Sequence, residues 1–313
     1  MNERITTEID GLTLNLSNLH KPLFPSGFTK GELINYYVEI SEVLLPHLRD
    51  RALTRVRFPD GTTGDSFYEK NAPAGTPDFV QTVDVATSAG TVSYVTATQR
   101  ADLAWLANIA SIELHTPQWR TTEATAHEEG IVIDGEDEPR ATSLVVDLDP
   151  GPGVTPDEIA KGAIIAATTL AEVGLESHPK SSGNKGLQLT VPIAPTPASQ
   201  VYQFAQSLAR HLARRHPKRF VATMAKNARA GLVFVDFAQN LAARNTVVAY
   251  SVRGLEVPSV ATPLTWEEVA ALGPDTPVRT HPTAMLERVQ NLGDLWQSTL
   301  PTATSPALPG PLA

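Results

Sequence analysis

The order of apolar segments between residues 142 and 238 constrains the fold more than any other feature of the chain. Strand patterns occur at "TSLVVDLDP", "LESHPKS", "GLQLTVPI" and "GLVFVDFA", and long helices are predicted after the first and the third of them. The first helix opens with a capping box, Thr155 with Glu158, and has Pro156 at its first position. The order is therefore strand, helix, strand, strand, helix, strand, which is typical of a split βαββαβ sheet.

This order predicts an α+β fold in which an RRM-like core is fused to an N-terminal half of mixed α and β structure. We predict one domain over 1–313, with an N-terminal half at 1–140, an RRM-like half at 141–300 and a flexible tail at 301–313. Apolar spacing predicts a helix over "RADLAWLANIASIEL", and the acidic segment 123–140 is interpreted as a surface loop. A further strand is predicted at "NTVVAYSVR".

Charge is unevenly distributed along the chain. The net charge is −9 overall, yet the stretch from Ser177 to Leu255 contains eleven Lys and Arg residues and one carboxylate, Asp236. That stretch has a net charge of +10, which leaves −19 for the remainder. A basic surface on an acidic body favours a polyanionic partner; two solvated faces of opposite sign are the alternative.

Composition excludes several classes of protein. With no cysteine, the chain has no disulfide, no thiolate nucleophile and no cysteine-based zinc site. No segment is apolar for long enough to span a membrane, and the N-terminus lacks the pattern of a signal peptide. We therefore expect a cytoplasmic protein with no membrane partner.

Two aspartates end the first predicted strand of the core. Asp147 and Asp149 are one residue apart, so they point to the same side of the strand, and a Pro-Gly-Pro-Gly turn follows. Asp236 ends the fourth strand, which this topology places beside the first. Three convergent carboxylates favour a site for Mg²⁺ or Mn²⁺ and a two-metal reaction on a triphosphate. The alternative is ordinary turn chemistry at a strand end.

A second candidate site is the turn "SSGNKG" between two strands. Its backbone N–H groups, Ser182 and Lys185 are suited to hold phosphate oxygens, although a simple hairpin turn with a solvated lysine has the same pattern. Arg253 ends a later strand, where it either reaches phosphates or covers a sheet edge. His115 is a phosphate donor, a metal ligand or a core residue.

The N-terminal half contains further candidates for nucleic-acid binding. Lys21 and Lys30 flank "PLFPSGF" and lead into a helix start, which is a natural site for an anion. Phe67 and Tyr68 are adjacent on a predicted strand, so we expect one to lie in the core and the other to stack on a base.

Several motifs in sequence order resemble the archaeo-eukaryotic primase superfamily, in particular the polymerase module of bacterial ligase D and its stand-alone relatives. They are "LVVDLDPGPG", "SSGNKGLQL", and "GLVFVDFAQN" followed by "AYSVRG". "HKPLFPSGFTKGELINYYVEI", "SFYEK" and "ELHTPQW" are also similar to that family, so the resemblance covers roughly residues 10–300.

The resemblance implies a DNA-dependent nucleotidyltransferase of the primase-polymerase type that fills short gaps or breaks and prefers ribonucleotides. Its implied partners are DNA with a 5′-phosphate end, NTP or dNTP, and end-joining proteins such as a ligase or Ku. Its site residues fall into three sets. Asp147, Asp149 and Asp236 would hold two Mn²⁺ or Mg²⁺ ions; His115, Ser182, Lys185, Gln188 and Arg253 would bind the nucleotide; Lys21, Lys30, Phe67, Tyr68 and Arg229 would bind DNA.

One position departs from the family pattern. The second motif usually ends in a histidine that contacts the nucleotide phosphates, and here that residue is Gln188. An amide carries no charge, so we expect triphosphate binding to be weaker by about 1–2 kcal/mol. Two alternatives remain: a nucleic-acid-binding module with a weakened site, and a haloacid-dehalogenase-type phosphatase, which also uses Asp-x-Asp but needs further acids downstream.

Overall fold

The first half of the chain forms small sheets and three helices. The computed structural model describes residues 4–87 and 90–313, and the side chain of Lys226 is not among the described parts. The elements up to residue 132 are β1 (Arg4–Ile9), β2 (Leu12–Ser17), α1 (Lys30–Glu39), α2 (Ser41–Leu48), β3 (Thr54–Arg57), β4 (Phe67–Glu69), β5 (Thr82–Thr87), β6 (Gly90–Val95), α3 (Arg100–Asn108), β7 (Ser111–Thr116), β8 (Ala126–His127) and β9 (Gly130–Val132).

The second half contains the long strands and helices that the sequence predicts. Its elements are β10 (Arg140–Pro150), α4 (Pro156–Ala171), β11 (His178–Ser181), β12 (Leu187–Pro197), α5 (Ala198–Arg215), β13 (Phe220–Val221), β14 (Val233–Asp236), β15 (Thr246–Val247), β16 (Val252–Arg253), β17 (Ser259–Val260), α6 (Trp266–Ala270) and α7 (Pro282–Leu292).

The central sheet has the strand order β11-β12-β10-β14-β13. Its first four strands are antiparallel neighbours in the order that a split βαββαβ unit requires, and β13 adds a parallel edge strand. The predicted RRM-like core is therefore confirmed. The predicted capping box of α4 is also present, since the Thr155 N–H donates to Glu158 Oε2 at 2.9 Å.

The two faces of the central sheet differ because strand side chains alternate. From β10, Leu144, Val146 and Leu148 pack into a core with α4 and α5, which contribute Ile159 and Phe204 among others. Burying each such side chain contributes roughly 1.5–3 kcal/mol. The opposite face carries the aspartates and lies towards the N-terminal half, where Ser143 Oγ donates to Gln118 Oε1 at 3.0 Å. The sheet thus has one apolar face and one polar face.

The chain crosses back to the N-terminal half after the core. Thr246 and Val247 of β15 pair with β7, in the sheet of order β15-β7-β3-β4. Tyr250 and Met285 belong to the same apolar core as α1 and α3. Residues after 246 thus contribute to both cores, since Val269 and Val278 belong to the second one.

Two predicted elements are interrupted in the structure. The helix predicted over 100–114 ends at Asn108, because Ala110 adopts φ +60° and Ser111–Thr116 is strand β7. The strand predicted at 245–253 divides into β15 and β16 around Tyr250, which has φ +70°. In both cases the apolar pattern continues along the sequence, but one residue with a left-handed backbone conformation ends the helix or strand.

The segment 123–140 is not only a surface loop. It contains β8 and β9, and Ile131 of β9 pairs with Val85 and is buried. The tail at 301–313 was predicted to be flexible; in the structure the Pro306 carbonyl accepts from Ala194 N at 2.8 Å, and Leu312 packs on the second core.

Candidate active site

Four polar side chains form one row across the central sheet. Lys180 of β11 is directly opposite Gln188 of β12, Gln188 is opposite Asp147 of β10, and Asp147 is opposite Asp236 of β14. Residues opposite each other in antiparallel strands share a face. Asp236 therefore lies beside Asp147, as predicted, and Gln188 and Lys180 continue the row on the other side of Asp147.

The three aspartates converge on one position. Asp147, Asp149 and Asp236 each offer an oxygen, and these oxygens all lie within 4.8 Å of one another. Asp147 is buried, and Asp236 is held from outside the triad, since its Oδ1 accepts from Ala238 N at 3.0 Å and its Oδ2 from Gln239 Nε2 at 2.9 Å. Carboxylate oxygens in this arrangement fit a divalent metal ion.

The electrostatics of the triad favour a bound cation. Burial, and next the charge of Asp149, raise the pKa of Asp147 to about 8. The pKa of Asp149 is also raised, first by burial and then by Asp236. Close carboxylates resist being ionised together unless a positive charge is added between them. A divalent ion in place of the protons would relieve this repulsion.

The turn after Asp149 is fixed by a close backbone contact. A Cβ on Gly151 would lie 1.7 Å from the carbonyl oxygen of Arg229. Only glycine allows the two segments to approach so closely. The Arg229 guanidinium stacks on Phe234, with Cζ 3.5 Å from the ring centroid, and its charge opposes the rise in the pKa of Asp149.

A cavity of about 650 Å³ opens over Asp147 and Asp149. It lies between the polar face of the central sheet and the N-terminal half. The predicted site residues that line it are Tyr68, His115, Asp147, Asp149, Ser182, Lys185, Gln188, Arg229 and Arg253. The structure therefore brings together most of the residues predicted for metal and nucleotide binding.

The "SSGNKG" turn closes one side of this cavity. Ser182 Oγ accepts from Gly186 N at 3.1 Å, and the Ser182 N–H donates to the Gly186 carbonyl at 2.9 Å. The guanidinium of Arg253 donates to the Ser182 carbonyl, whereas Lys185 is exposed at the tip. The turn thus presents a hydroxyl and one cation, Lys185, to the cavity, and Arg253 adds a second cation from β16.

A buried carboxylate that the sequence analysis missed organises His115 and Arg253. Glu113 Oε2 is 2.8 Å from His115 Nε2, and Glu113 Oε1 is 3.2 Å from Arg253 Nε and accepts from Gly254 N at 2.9 Å. Burial opposes ionisation of Glu113, but the hydrogen bond from His115 and the charge of Arg253 hold its pKa at about 2. Burial lowers the pKa of His115. The signal available was the spacing "ELH", because residues i and i+2 share a strand face.

Known proteins share this arrangement of elements and motifs. The family model described as the LigD primase-polymerase domain matches residues 29–296. This chain belongs to the LigD primase-polymerase family. Membership confirms the predicted enzyme class, a nucleotidyltransferase of the polymerase-primase type, and it rules out the phosphatase alternative.

Individual members of the LigD family are similar over most of the chain. The multifunctional non-homologous end joining protein LigD of Mycolicibacterium smegmatis is 38% identical over 285 residues, which are 90% of this chain and 35% of that protein. The bifunctional LigD of Bacillus subtilis is 32% identical over 263 residues, 82% of this chain and 39% of that protein. The chain thus spans little more than a third of these curated relatives.

A solved structure agrees with the fold. The polymerase domain of Mycobacterium tuberculosis ligase D, determined in complex with DNA, superposes with a TM-score of 0.83 at 35% identity. The match covers 94% of this chain and 99% of that one.

No helix of residues 4–87 and 90–313 has the length and apolar character needed to cross a bilayer.

The aromatic pair of this LigD-family chain differs from the prediction. Phe67 and Tyr68 are both exposed, at 43% and 70%, so neither lies in the core. The two side chains point to opposite faces of β4, the edge strand of its sheet, and neither face is fully covered at these residues. Tyr68 lines the cavity, with its ring 5.9 Å from that of His115, whereas Arg57 lies 5.4 Å from the Phe67 ring.

The two lysines predicted to bind a 5′-phosphate lie outside the cavity lining. Lys30 is buried, and its Nζ donates to the Asn108 carbonyl at 3.0 Å. Lys21 donates to the Pro59 carbonyl at 2.6 Å and pairs with Asp60 at 3.1 Å. Burial, and next the charge of Lys21, lower the pKa of Lys30, which shows that the two cations are close.

Gln188 differs most from its predicted role as a contact to the nucleotide phosphates. Its Nε2 donates to Asp147 Oδ1 at 3.0 Å, and its Oε1 accepts from Lys180 Nζ at 2.5 Å. Both polar ends of the side chain therefore have partners within the protein. Three further residues are not among the predicted site residues. Lys70 and Arg244 line the cavity, and Lys180 contacts Gln188 without lining it.

Proposed function

We propose that this chain is a DNA-dependent polymerase that adds nucleotides, with a preference for ribonucleotides, to 3′-OH ends at short gaps or breaks. The observation that carries the proposal is the cluster of three carboxylates, two of which line the same cavity as the "SSGNKG" turn. Triphosphate chemistry needs both a cation site and phosphate donors within reach of it. A role as a binding module alone would not require the acidic triad.

Asp147, Asp149 and Asp236 would hold two divalent ions, Mn²⁺ or Mg²⁺. When bound, such ions supply charge stabilisation for the attacking and leaving oxygens of an in-line displacement. The protein's own part is to orient the carboxylates. The hydrogen bonds from Ala238 and Gln239 to Asp236 do this on one strand, and the bond from Gln188 to Asp147 does it on the next.

The incoming nucleotide would lie between the aspartates and the "SSGNKG" turn. Ser182 and Lys185 would donate to its phosphate oxygens from the turn, and Arg253 would do so from the floor of the cavity. His115 would complete the set. The ionised Glu113 holds the His115 ring by its Nε2 and the Arg253 guanidinium by its Nε, so that both side chains reach the nucleotide already oriented.

DNA would approach from the N-terminal half. Tyr68, exposed at the cavity rim, is suited to stack near the templating base, with Phe67 beside it. Lys21 and Lys30 would bind a 5′-phosphate on the downstream side of a gap, and Arg229 would contact the backbone close to the triad. The similar polymerase domain solved in complex with DNA supports DNA binding in general.

The pathway is proposed from the relatives. Their printed names describe non-homologous end joining, and this chain corresponds to about a third of their length. We assign the chain to bacterial end joining or excision repair, acting in the cytoplasm at the nucleoid with a ligase or Ku as partners. The net charge of +10 over residues 177–255 fits a DNA-bound protein.

The test is primer extension on DNA with a short gap. Substrates with and without a 5′-phosphate at the downstream end, each supplied with NTP or dNTP and with Mn²⁺, Mg²⁺ or EDTA, separate the parts of the proposal. Template-directed addition that needs a divalent metal, is faster with NTP and depends on the 5′-phosphate is the expected result. DNA binding without extension under every condition would leave only the binding module.

A further inference from the structure

Lys180 is a buried cation at one end of the polar row. The residue is 3% exposed, and its Nζ lies 2.5 Å from Gln188 Oε1. An ammonium group donates hydrogen bonds and accepts none. When Lys180 is protonated, the carbonyl oxygen of Gln188 therefore faces Lys180, and the NH₂ group of Gln188 faces Asp147. The orientation of the amide is set by Lys180 and not by the aspartate alone.

The charges around Lys180 show why this orientation matters. Burial lowers the pKa of Lys180 to about 7, and the charge of Asp147, which lies on the other side of the Gln188 amide, opposes this shift. Among the described residues, no carboxylate forms an ion pair with Lys180. Lys180 also lines a smaller cavity of about 40 Å³ together with Arg51 and Arg120, which add positive charge on that side. Lys180 and Asp147 are thus connected by two hydrogen bonds through the amide of Gln188.

We propose that Lys180 and Gln188 form one positioning unit that fixes Asp147 for metal binding. Gln188 Nε2 occupies Asp147 Oδ1, and the carboxylate cannot turn about its bond to Cβ without losing that hydrogen bond. Without Lys180, the oxygen of the Gln188 amide loses its partner, and Asp147 alone holds the amide in place. Partners behind a metal ligand commonly change metal affinity by about 10- to 100-fold.

This unit gives a role to the residue that departs from the family pattern. At the position where the related motif usually carries a histidine for the phosphates, this chain has a neutral amide that connects a buried lysine to a metal ligand. The inference rests on the proposed function, because it assumes that the aspartates bind Mn²⁺ or Mg²⁺. It assigns Lys180 and Gln188 as positioning residues and not as catalytic ones.

The test is a double-mutant cycle read by equilibrium Mn²⁺ binding, measured by electron paramagnetic resonance without DNA or nucleotide. Lys180→Met and Gln188→Met remove the two ends of the unit and keep side-chain volume. Each is expected to weaken Mn²⁺ binding roughly 10- to 100-fold. The double variant is expected to be no weaker than the poorer single one, because residues that act as a unit are not additive.

Controls separate positioning from general damage. Lys161→Met makes the same substitution at an exposed lysine of α4, on the far side of the sheet, and is expected to bind Mn²⁺ as the wild type does. Lys180→Arg keeps a donor and is expected to restore part of the affinity. If Lys180→Met does not fold, as judged by circular dichroism in EDTA, the Gln188→Met loss alone decides the question.

Three results would overturn the inference while leaving the wild-type metal site in place. They are unchanged Mn²⁺ affinity in the single variants, losses that add in the double variant, and an equal loss in Lys161→Met. If the wild-type protein itself binds no Mn²⁺, the two-metal part of the proposed function fails, and the positioning unit fails with it.

Discussion

Asp147 of β10 and Asp236 of β14 lie directly opposite each other on neighbouring strands, and their oxygens lie within 4.8 Å of each other and of Asp149. Two buried or half-buried acids in register cost free energy in a sheet unless a cation lies between them. The pair lies beside the cavity that the other site residues line, where a cation has room to bind. A bound divalent ion is the partner that would offset this cost.

Asp147→Asn is expected to abolish nucleotide addition and to stabilise the metal-free protein at pH 8. The pKa of Asp147 is raised from 3.8 to about 8, so the folded state keeps a proton that the unfolded state releases between those values. Stability from this group is therefore present below pH 3.8 and is lost as pH rises towards 8. Thermal unfolding in EDTA should show the Asp147→Asn variant more stable than the wild type by roughly 1–4 kcal/mol at pH 8, with the difference vanishing near pH 4.

Mn²⁺ binding to the wild type is expected to strengthen as pH rises from 6 to 8. The metal binds ionised carboxylates, and below about 8 the proton on Asp147 must leave first. The apparent affinity should change by up to about tenfold per pH unit in this range. Titration calorimetry in buffers of different ionisation enthalpy should also show proton release on binding. A flat profile from pH 6 to 8 would contradict this account of the triad.

Glu113→Gln is expected to raise the KM for nucleotide about 10- to 100-fold with little change in DNA affinity. Glu113 forms a hydrogen bond with His115 at 2.8 Å and an ion pair with Arg253 Nε at 3.2 Å, and its charge is what orients them. Charge-assisted hydrogen bonds contribute about 1.5–3 kcal/mol, which corresponds to this range. Steady-state kinetics with fluorescence anisotropy on the same gapped DNA distinguish the two effects. An unchanged KM would remove Glu113 from the nucleotide site.

Tyr68→Ala is expected to weaken productive DNA binding more than Phe67→Ala. Tyr68 is 70% exposed and lines the cavity, whereas Phe67 does not line it and packs under Arg57. Loss of one stacking ring costs about 1–3 kcal/mol. The measurement is the dependence of extension rate on DNA concentration for both variants. Equal effects, or a larger effect at Phe67, would assign the stacking position differently.

The three aspartates of the site could be predicted from the sequence, but the residues that hold and orient the site could not. Asp147, Asp149 and Asp236 follow from period-two alternation and from the order of strands, both of which are local patterns. Glu113 was missed because its partners Arg253 and Gly254 come from a segment that returns to the N-terminal half only in three dimensions. The position of a side chain whose partners are distant in sequence is set by tertiary packing.

Lys180 and the aromatic pair show two further limits. The pattern "SHPKS" gives no sign that Lys180 points inwards, because lysines at strand edges are usually solvated. The core position expected for one of Phe67 and Tyr68 assumed a strand covered on one face, whereas β4 is an exposed edge. Phe67 and Tyr68 do point to opposite faces of β4, as the alternation predicts, but among the described residues no element buries either side chain.

The most direct test of the central claim compares nucleotide addition by the wild type and by Asp236→Asn on one gapped, 5′-phosphorylated DNA with Mn²⁺. Asp236→Asn keeps the hydrogen bond from Ala238 and removes one charge of the triad. The account predicts that single-turnover extension falls by at least about 10³-fold, by analogy with the loss of one group that stabilises developing charge, while DNA affinity is unchanged or slightly tighter. Extension within a few-fold of the wild type would contradict the claim that these three carboxylates form the catalytic metal site.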